Sequence, residues 1–354
     1  MTRLPHVFVL AVQFLLAGLS GLHAESLATA FSIWQGDVQR IGHLGDAQKD
    51  FNLVGHIEPW PEITKLDWKL NSGGAKWMSF RTFRRLVADG DFNADIPISL
   101  MIPGTNRVLL TARFRDGRTL EHTVQVEKTT GSRPLPCRIR WRELLNVQDA
   151  GQVVDGKWGI ENGRLRTLQT GYDRVFLIGE RTWQDYEVRS SFVINSVSRE
   201  TTPLSGGNGV GFIFRFCGHV VGGPRKFPAA QPKWGYQPFG AIGWLRWDEG
   251  KPSLPPMRQF YPGDNDLGLD LGRFPAKPGR VYSVLMACET QPDDAQGRGV
   301  TRYSFKIWDA ERPEPTEWAW QQVQASETAL RRGGLALVAH HADVSFGDLD
   351  ITEK

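Results

Sequence analysis

The stretch Val210-Gly211-Phe212-Ile213-Phe214-Arg215-Phe216-Cys217 decides the fold class. A strand turns successive side chains to opposite faces, so Val210, Phe212, Phe214 and Phe216 share one face, and Gly211, Ile213, Arg215 and Cys217 the other. Similar alternation runs through Tyr186 to Val193, Phe239 to Trp247, Val281 to Cys288, Tyr303 to Trp308 and Leu335 to His341. A closing strand over Val344 to Ile351 carries a bulge-like break at Gly347-Asp348. Gly, Pro, Asn and Asp turns separate these runs, and sustained helical periodicity is nearly absent. The expectation is an all-β chain.

Working towards the N-terminus, the strands shorten. Asn106 to Phe114, Asp116-Gly117 and Thr119 to Val126 read as a hairpin, because Asp-Gly tolerates the positive φ angles of a tight turn. Phe51 to Ile57, Leu66 to Leu70 and Phe92 to Ile98 are further strands. Roughly seven short strands in about 100 residues suggest a small sandwich. Thr129 to Pro136, with Gly131, Pro134 and Pro136, reads as a linker. The expected division is a leader at 1–24, a small sandwich at 25–130, a linker at 131–136 and a large two-sheet jelly roll at 137–354.

The leader rests on Arg3, the apolar run Val7 to Leu19 and the small residue Ala24 after Leu22-His23. A run of about 13 residues is too short for the roughly 20 that cross hydrocarbon, and no later segment is apolar enough to span. A chain cut after Ala24 carries 41 basic and 39 acidic residues, a net charge of +2. So small a charge gives no electrostatic case for nucleic acid. A secreted or periplasmic location follows. Cys137, Cys217 and Cys288 are odd in number and lack Cys-x-x-Cys spacing, so neither a zinc site nor a disulfide framework is expected.

Two resemblances sharpen this outline. Gly55-His56-Ile57, Leu66-Asp67-Trp68, Gly90-Asp91-Phe92-Asn93 and Pro103-Gly104-Thr105-Asn106 resemble the immunoglobulin-like modules of exported bacterial proteins. That likeness implies a spacer, or a unit that docks another protein. The larger block resembles the concanavalin A-like lectin and glucanase superfamily. The likeness lies in Asp155-Gly156-Lys157-Trp158 leading to Gly163-Arg164-Leu165, in Trp183-Gln184-Asp185-Tyr186-Glu187-Val188, in Gly209 to Arg215, and in Gly334-Leu335-Ala336-Leu337 with Val344 to Leu349. It implies a sandwich with one hollow sheet across which sugars lie.

Sugars offer C–H faces to aromatic rings and hydroxyls to planar polar groups, so such a sheet should interleave Trp or Tyr with Arg and His. Trp234-Gly235-Tyr236-Gln237-Pro238 and Gly243-Trp244-Leu245-Arg246-Trp247 have that composition. Alternation sets Trp244 and Arg246 against Leu245 and Trp247, and the first pair is expected in the groove, with Trp234 and Tyr236 on an adjoining loop. Arg215 is expected on the same open face, with His219 at the strand end. His340-His341-Ala342-Asp343 should turn one imidazole to the groove and the other away. Pro262-Gly263-Asp264-Asn265-Asp266 and Asp270 carry oxygens of the kind calcium takes, but read first as a turn. No metal or other cofactor is assigned.

The Glu-x-Asp-x-x-Glu run of the glucan-cleaving members does not occur, nor do a phosphate loop and a Gly-x-Ser-x-Gly elbow. Catalytic residues therefore stay unassigned. The leading expectation is an exported glycan-binding protein. A polysaccharide lyase or glycoside hydrolase of the same fold is the alternative, and a structural or adhesive surface protein the second.

Overall fold

The computed structural model describes residues 30–198, 207–220, 232–233, 235, 239–249, 251, 253–263 and 268–354. The expected leader, Trp234, Tyr236 and Asp264-Asn265-Asp266 lie outside them. Among the described residues, helix is confined to four three-residue 3-10 turns and every longer regular element is a strand. No helix among them is long and apolar enough to cross a membrane.

The strands from Ala30–Ile33 to Thr119–Lys128 form a three-stranded and a five-stranded sheet. Alternation in Gly104–Phe114 turns Val108, Leu110, Ala112 and Phe114 inward, where they meet Phe51, Leu53, Trp68 and Phe92 in one buried cluster. The strand pairs antiparallel with Thr119–Lys128, and Gly117 in the connecting turn has φ +88°. No strand occurs between Lys128 and Cys137. That segment is tied at both sides: Gly131 N donates to Gly42 O at 2.8 Å, and Trp183 Nε1 donates to Arg133 O at 2.7 Å. It is a fixed strap, not a loose tether.

The larger sandwich faces a seven-stranded sheet against a nine-stranded one. The first runs in spatial order Gln152–Asp155, Arg174–Ile178, Gly334–His340, Asn208–Phe216, Ala241–Trp247, Met257–Pro262 and Leu269–Arg273. Strands far apart in sequence are neighbours in space, the crossing-over that defines a jelly roll. Between the sheets, Phe176, Phe212, Phe214, Leu245, Trp247 and Leu337 meet Tyr186, Phe192, Tyr282, Met286, Phe305 and Phe346. Burying each large side chain contributes about 1.5–3 kcal/mol. The expected closing strand is two strands, Ala342–Phe346 and Leu349–Glu353, and the second pairs with both Tyr186–Val197 and Cys137–Ile139.

At the end of the Asn208–Phe216 strand the strict alternation expected from sequence fails. Its register with Gly334–His340 shifts between Ile213 and Phe216, and Arg215 has φ +50°. A bulge of this kind re-aims the residues that follow it. Phe216 consequently joins Ile213 in the cluster on the sheet's outer face, away from Val210, Phe212 and Phe214.

The outer face is also not left wholly uncovered. The smaller sandwich lies against its first strands: Gln152 Nε2 donates to Asp50 O at 2.9 Å, Asn93 Nδ2 donates to Val154 O at 2.8 Å, and Ala47 joins the outer apolar cluster. Gly171 permits the approach, since a Cβ there would stand 2.0 Å from Val87 Cγ2.

Candidate functional site

The outer face of the seven-stranded sheet carries a row of side chains set by strand register. Gly211 lies opposite Trp244, Trp244 opposite Gln259, and Gln259 opposite Asp270, across four neighbouring strands. Gly209 and Gly211 form a flat floor: a Cβ on Gly209 would stand 2.8 Å from the Trp244 ring, and one on Gly211 2.3 Å from Trp244 Cβ. The indole settles there, 7% exposed, and its Nε1 donates to Gln259 Oε1 at 2.9 Å. Gln259 Nε2 in turn donates to Asp270 Oδ1 at 2.9 Å, which fixes the amide. The Arg246 guanidinium lies 4.6 Å from the Trp244 ring centroid, within cation–π range. Burial lowers the pKa of Arg246, and nearby Asp173 acts the other way. Leu245 and Trp247 belong to the core between the sheets.

His340 packs on the row from the neighbouring strand. Its ring meets Trp244 edge-on at 6.2 Å and Tyr172 at 5.1 Å, and its Nδ1 lies 2.7 Å from Asp173 Oδ1. Burial raises the Asp173 pKa, but His340, Arg246 and His219 together outweigh burial and the net shift is downward. His341 does not point away as alternation requires. Its φ is +49°, and the two imidazoles stand 4.6 Å apart at 85°, both buried. Burial first, then the charge of His340, lowers the His341 pKa to about 4. Among the described residues, no group of three or more His, Cys, Asp or Glu is placed to hold an ion.

Two expected site residues serve elsewhere. Arg215 turns into the space between the sheets and is fully buried. Its Nε donates to Gln184 O, its Nη1 to Thr301 Oγ1 and Leu330 O, and its Nη2 to Asp185 Oδ1 and Thr290 Oγ1, at 2.8–3.1 Å. Guanidinium has five N–H donors, so none remains for a ligand. The expectation that Arg215 faces an open groove is corrected by the bulge that precedes Phe216. His219 is 7% exposed at the junction of the two sandwiches, with Nε2 2.7 Å from Asp155 Oδ2 and Nδ1 3.3 Å from Gly235 O. Arg85, from the smaller sandwich, reaches both Asp155 and Asp95 there. Burial alone raises the Asp155 pKa, but Arg85 and His219 overcome it and hold the carboxyl near 2. His219 is therefore part of a buried ionic clamp.

Trp234 and Tyr236 lie outside the described residues. Gln259, Tyr172 and Asp173 were not singled out from sequence, and Asp270 only as a turn oxygen; the alternation of Met257-Arg258-Gln259-Phe260-Tyr261 was the signal that places Gln259 on the Trp244 face. The three cysteines are free, and burial pushes the Cys137 and Cys288 thiols up to about 11, out of the reactive range.

No protein-family model matches the chain, and a search of curated proteins gives no match. Solved structures of similar fold include the exoplasmic/lumenal domain of VIP36 in a Ca2+-bound form, at 12% identity and TM-score 0.35, covering 56% of this chain and 82% of that one. The PL-14 alginate lyase from Aplysia kurodai is similar at 10% identity and TM-score 0.30, covering 58% and 88%. The xylan β-1,4-xylosidase from Bacillus halodurans C-125 is similar at 10% identity and TM-score 0.36, covering 88% of this chain and 64% of that one. Likenesses of this size carry no argument about what the chain does, and fold does not fix function.

Proposed function

We propose that the chain is a carbohydrate-binding protein whose ligand lies along the outer face of the seven-stranded sheet, over Arg246, Gln259, Asp270 and Tyr261. The observation that carries this reading is the in-register row Gly211–Trp244–Gln259–Asp270 with Arg246 above the indole. It presents guanidinium, amide and carboxylate groups in fixed directions, the inventory that hydroxyl-rich ligands engage. The burial of both His340 and His341 supports binding ahead of turnover, because a general base must reach its proton.

The same reading takes residues 25–130 as an immunoglobulin-like spacer or docking module, 131–136 as the connection and 137–354 as the concanavalin A-like domain, exported behind the leader at 1–24. Calcium would be served by Asp264, Asn265 and Asp266, which lie outside the described residues.

A glycan array followed by calorimetric titration tests the proposal. Arg246→Gln and Gln259→Ala are each expected to weaken the best ligand about tenfold or more, or about 1.4 kcal/mol, in chains that still unfold cooperatively. No binding by the wild-type chain across the array sinks the reading, and product release from a bound polysaccharide would replace it with the lyase or hydrolase alternative.

A further inference from the structure

The indole of the row is buried, so the sheet itself offers little open ring surface for a sugar face. An exposed ring stands nearby on the other sandwich. Phe83 and Leu86 exchange backbone hydrogen bonds, Phe83 N to Leu86 O at 3.0 Å and Leu86 N to Phe83 O at 3.1 Å, which makes Arg84-Arg85 the tip of a two-residue turn. Arg84 takes φ +50°, a conformation uncommon for a residue with a Cβ. The turn splits its two cations between two tasks. Arg85, 2% exposed, enters the junction and pairs with Asp95 and Asp155. Arg84 lies between two rings, 5.7 Å from the Phe83 centroid and 5.7 Å from that of Tyr172, and its Nη1 donates to the Tyr172 hydroxyl at 3.3 Å. Phe83 stays 47% exposed.

From Tyr172 the contacts run on through His340 at 5.1 Å, Trp244 at 6.2 Å and the Arg246 guanidinium at 4.6 Å. A run of contacting rings, with Arg84 near one end and Arg246 at the other, thus crosses the boundary between the sandwiches without a break. Arg85 fixes the turn by a buried ionic pair, so the position of Phe83 relative to the row is set before any ligand arrives, and preorganisation of this kind lowers the cost of binding.

We infer that the smaller sandwich supplies part of the binding surface: Phe83 and Arg84 form the far end of a composite site that takes an oligosaccharide long enough to lie on both sandwiches. This rests on the carbohydrate reading above. Phe83 gives the stacking platform that buried Trp244 does not, and Arg84 gives a donor to hydroxyl or carboxylate groups of the terminal sugars.

The test uses the full chain and a panel of neutral and uronate-containing oligosaccharides of two to eight sugars, titrated calorimetrically. The variants are Phe83→Ser, at an exposed position, and Arg84→Asn, because Asn adopts positive φ readily. Each is expected to weaken the longest ligands about tenfold, leave the shortest ones that bind unchanged, and keep the wild-type melting temperature. Equal loss at every length, or no loss at any, overturns the composite site while leaving the carbohydrate reading intact wherever Arg246→Gln still weakens binding about tenfold. Failure of the wild-type chain to bind any member of the panel overturns both.

Discussion

His341 joins a left-handed backbone, at φ +49°, to an imidazole that is 9% exposed. With its folded pKa lowered to about 4 from 6.5, the unfolded chain takes up a proton that the folded chain refuses as pH falls between those values. Stability should therefore decline from pH 6.5 to 4, by roughly 2–3 kcal/mol for this group. Asp155 acts in a lower window: its folded pKa near 2 contributes stability that is present above about 4 and is lost as pH falls towards 2. Asn at position 341 keeps the left-handed backbone and does not titrate. Urea-unfolding midpoints of His341→Asn should show a shallower fall between pH 6.5 and 4, since the His43 pKa is also lowered by burial, and retain the one below it; a profile identical to wild type would show that this imidazole is not a titrating group.

At the scale of the element, the Ala241–Trp247 strand has the two-residue periodicity visible in its sequence, with Trp244 outward and Leu245 and Trp247 in the core. Composition marks most strands in this way, because an alternating run buries one face and a Gly, Pro or Asp turn ends it. It does not mark the bulge before Phe216 or the bend at His341, since Arg gives no sign of a positive φ and His only a weak one. Nor does it reveal Arg85 or His219 as parts of one clamp, for their shared partner Asp155 lies 70 and 64 residues away. The glycine floor is a stricter requirement than alternation. Gly211→Ala would set a Cβ 2.4 Å from Gly243 O as well as against Trp244, and both atoms belong to the paired strand. We expect a loss of about 1–3 kcal/mol in chemical unfolding and weaker ligand binding through displacement of Trp244 and Gln259; wild-type stability in this variant would mean that the two strands separate without cost.

For the whole molecule, the junction couples two cores that could otherwise unfold independently. Arg85 is one of the side chains that join them, being 2% exposed and ionically paired to Asp95 of one sandwich and Asp155 of the other. Arg85→Met leaves two buried carboxylates without it, at a cost of about 3–5 kcal/mol. Calorimetry should show a single transition in the wild-type chain and two separated ones in the variant; a single transition at the wild-type temperature in both would place the coupling elsewhere. The strand Leu349–Glu353, finally, is hydrogen-bonded to Cys137–Ile139, so the larger sandwich begins and finishes at one spot on its surface. It has the geometry of a cassette: joining its two ends by a short peptide and opening a surface turn elsewhere would give a circular permutant with the same neighbours, and a host protein could carry it within a loop while keeping its own chain path.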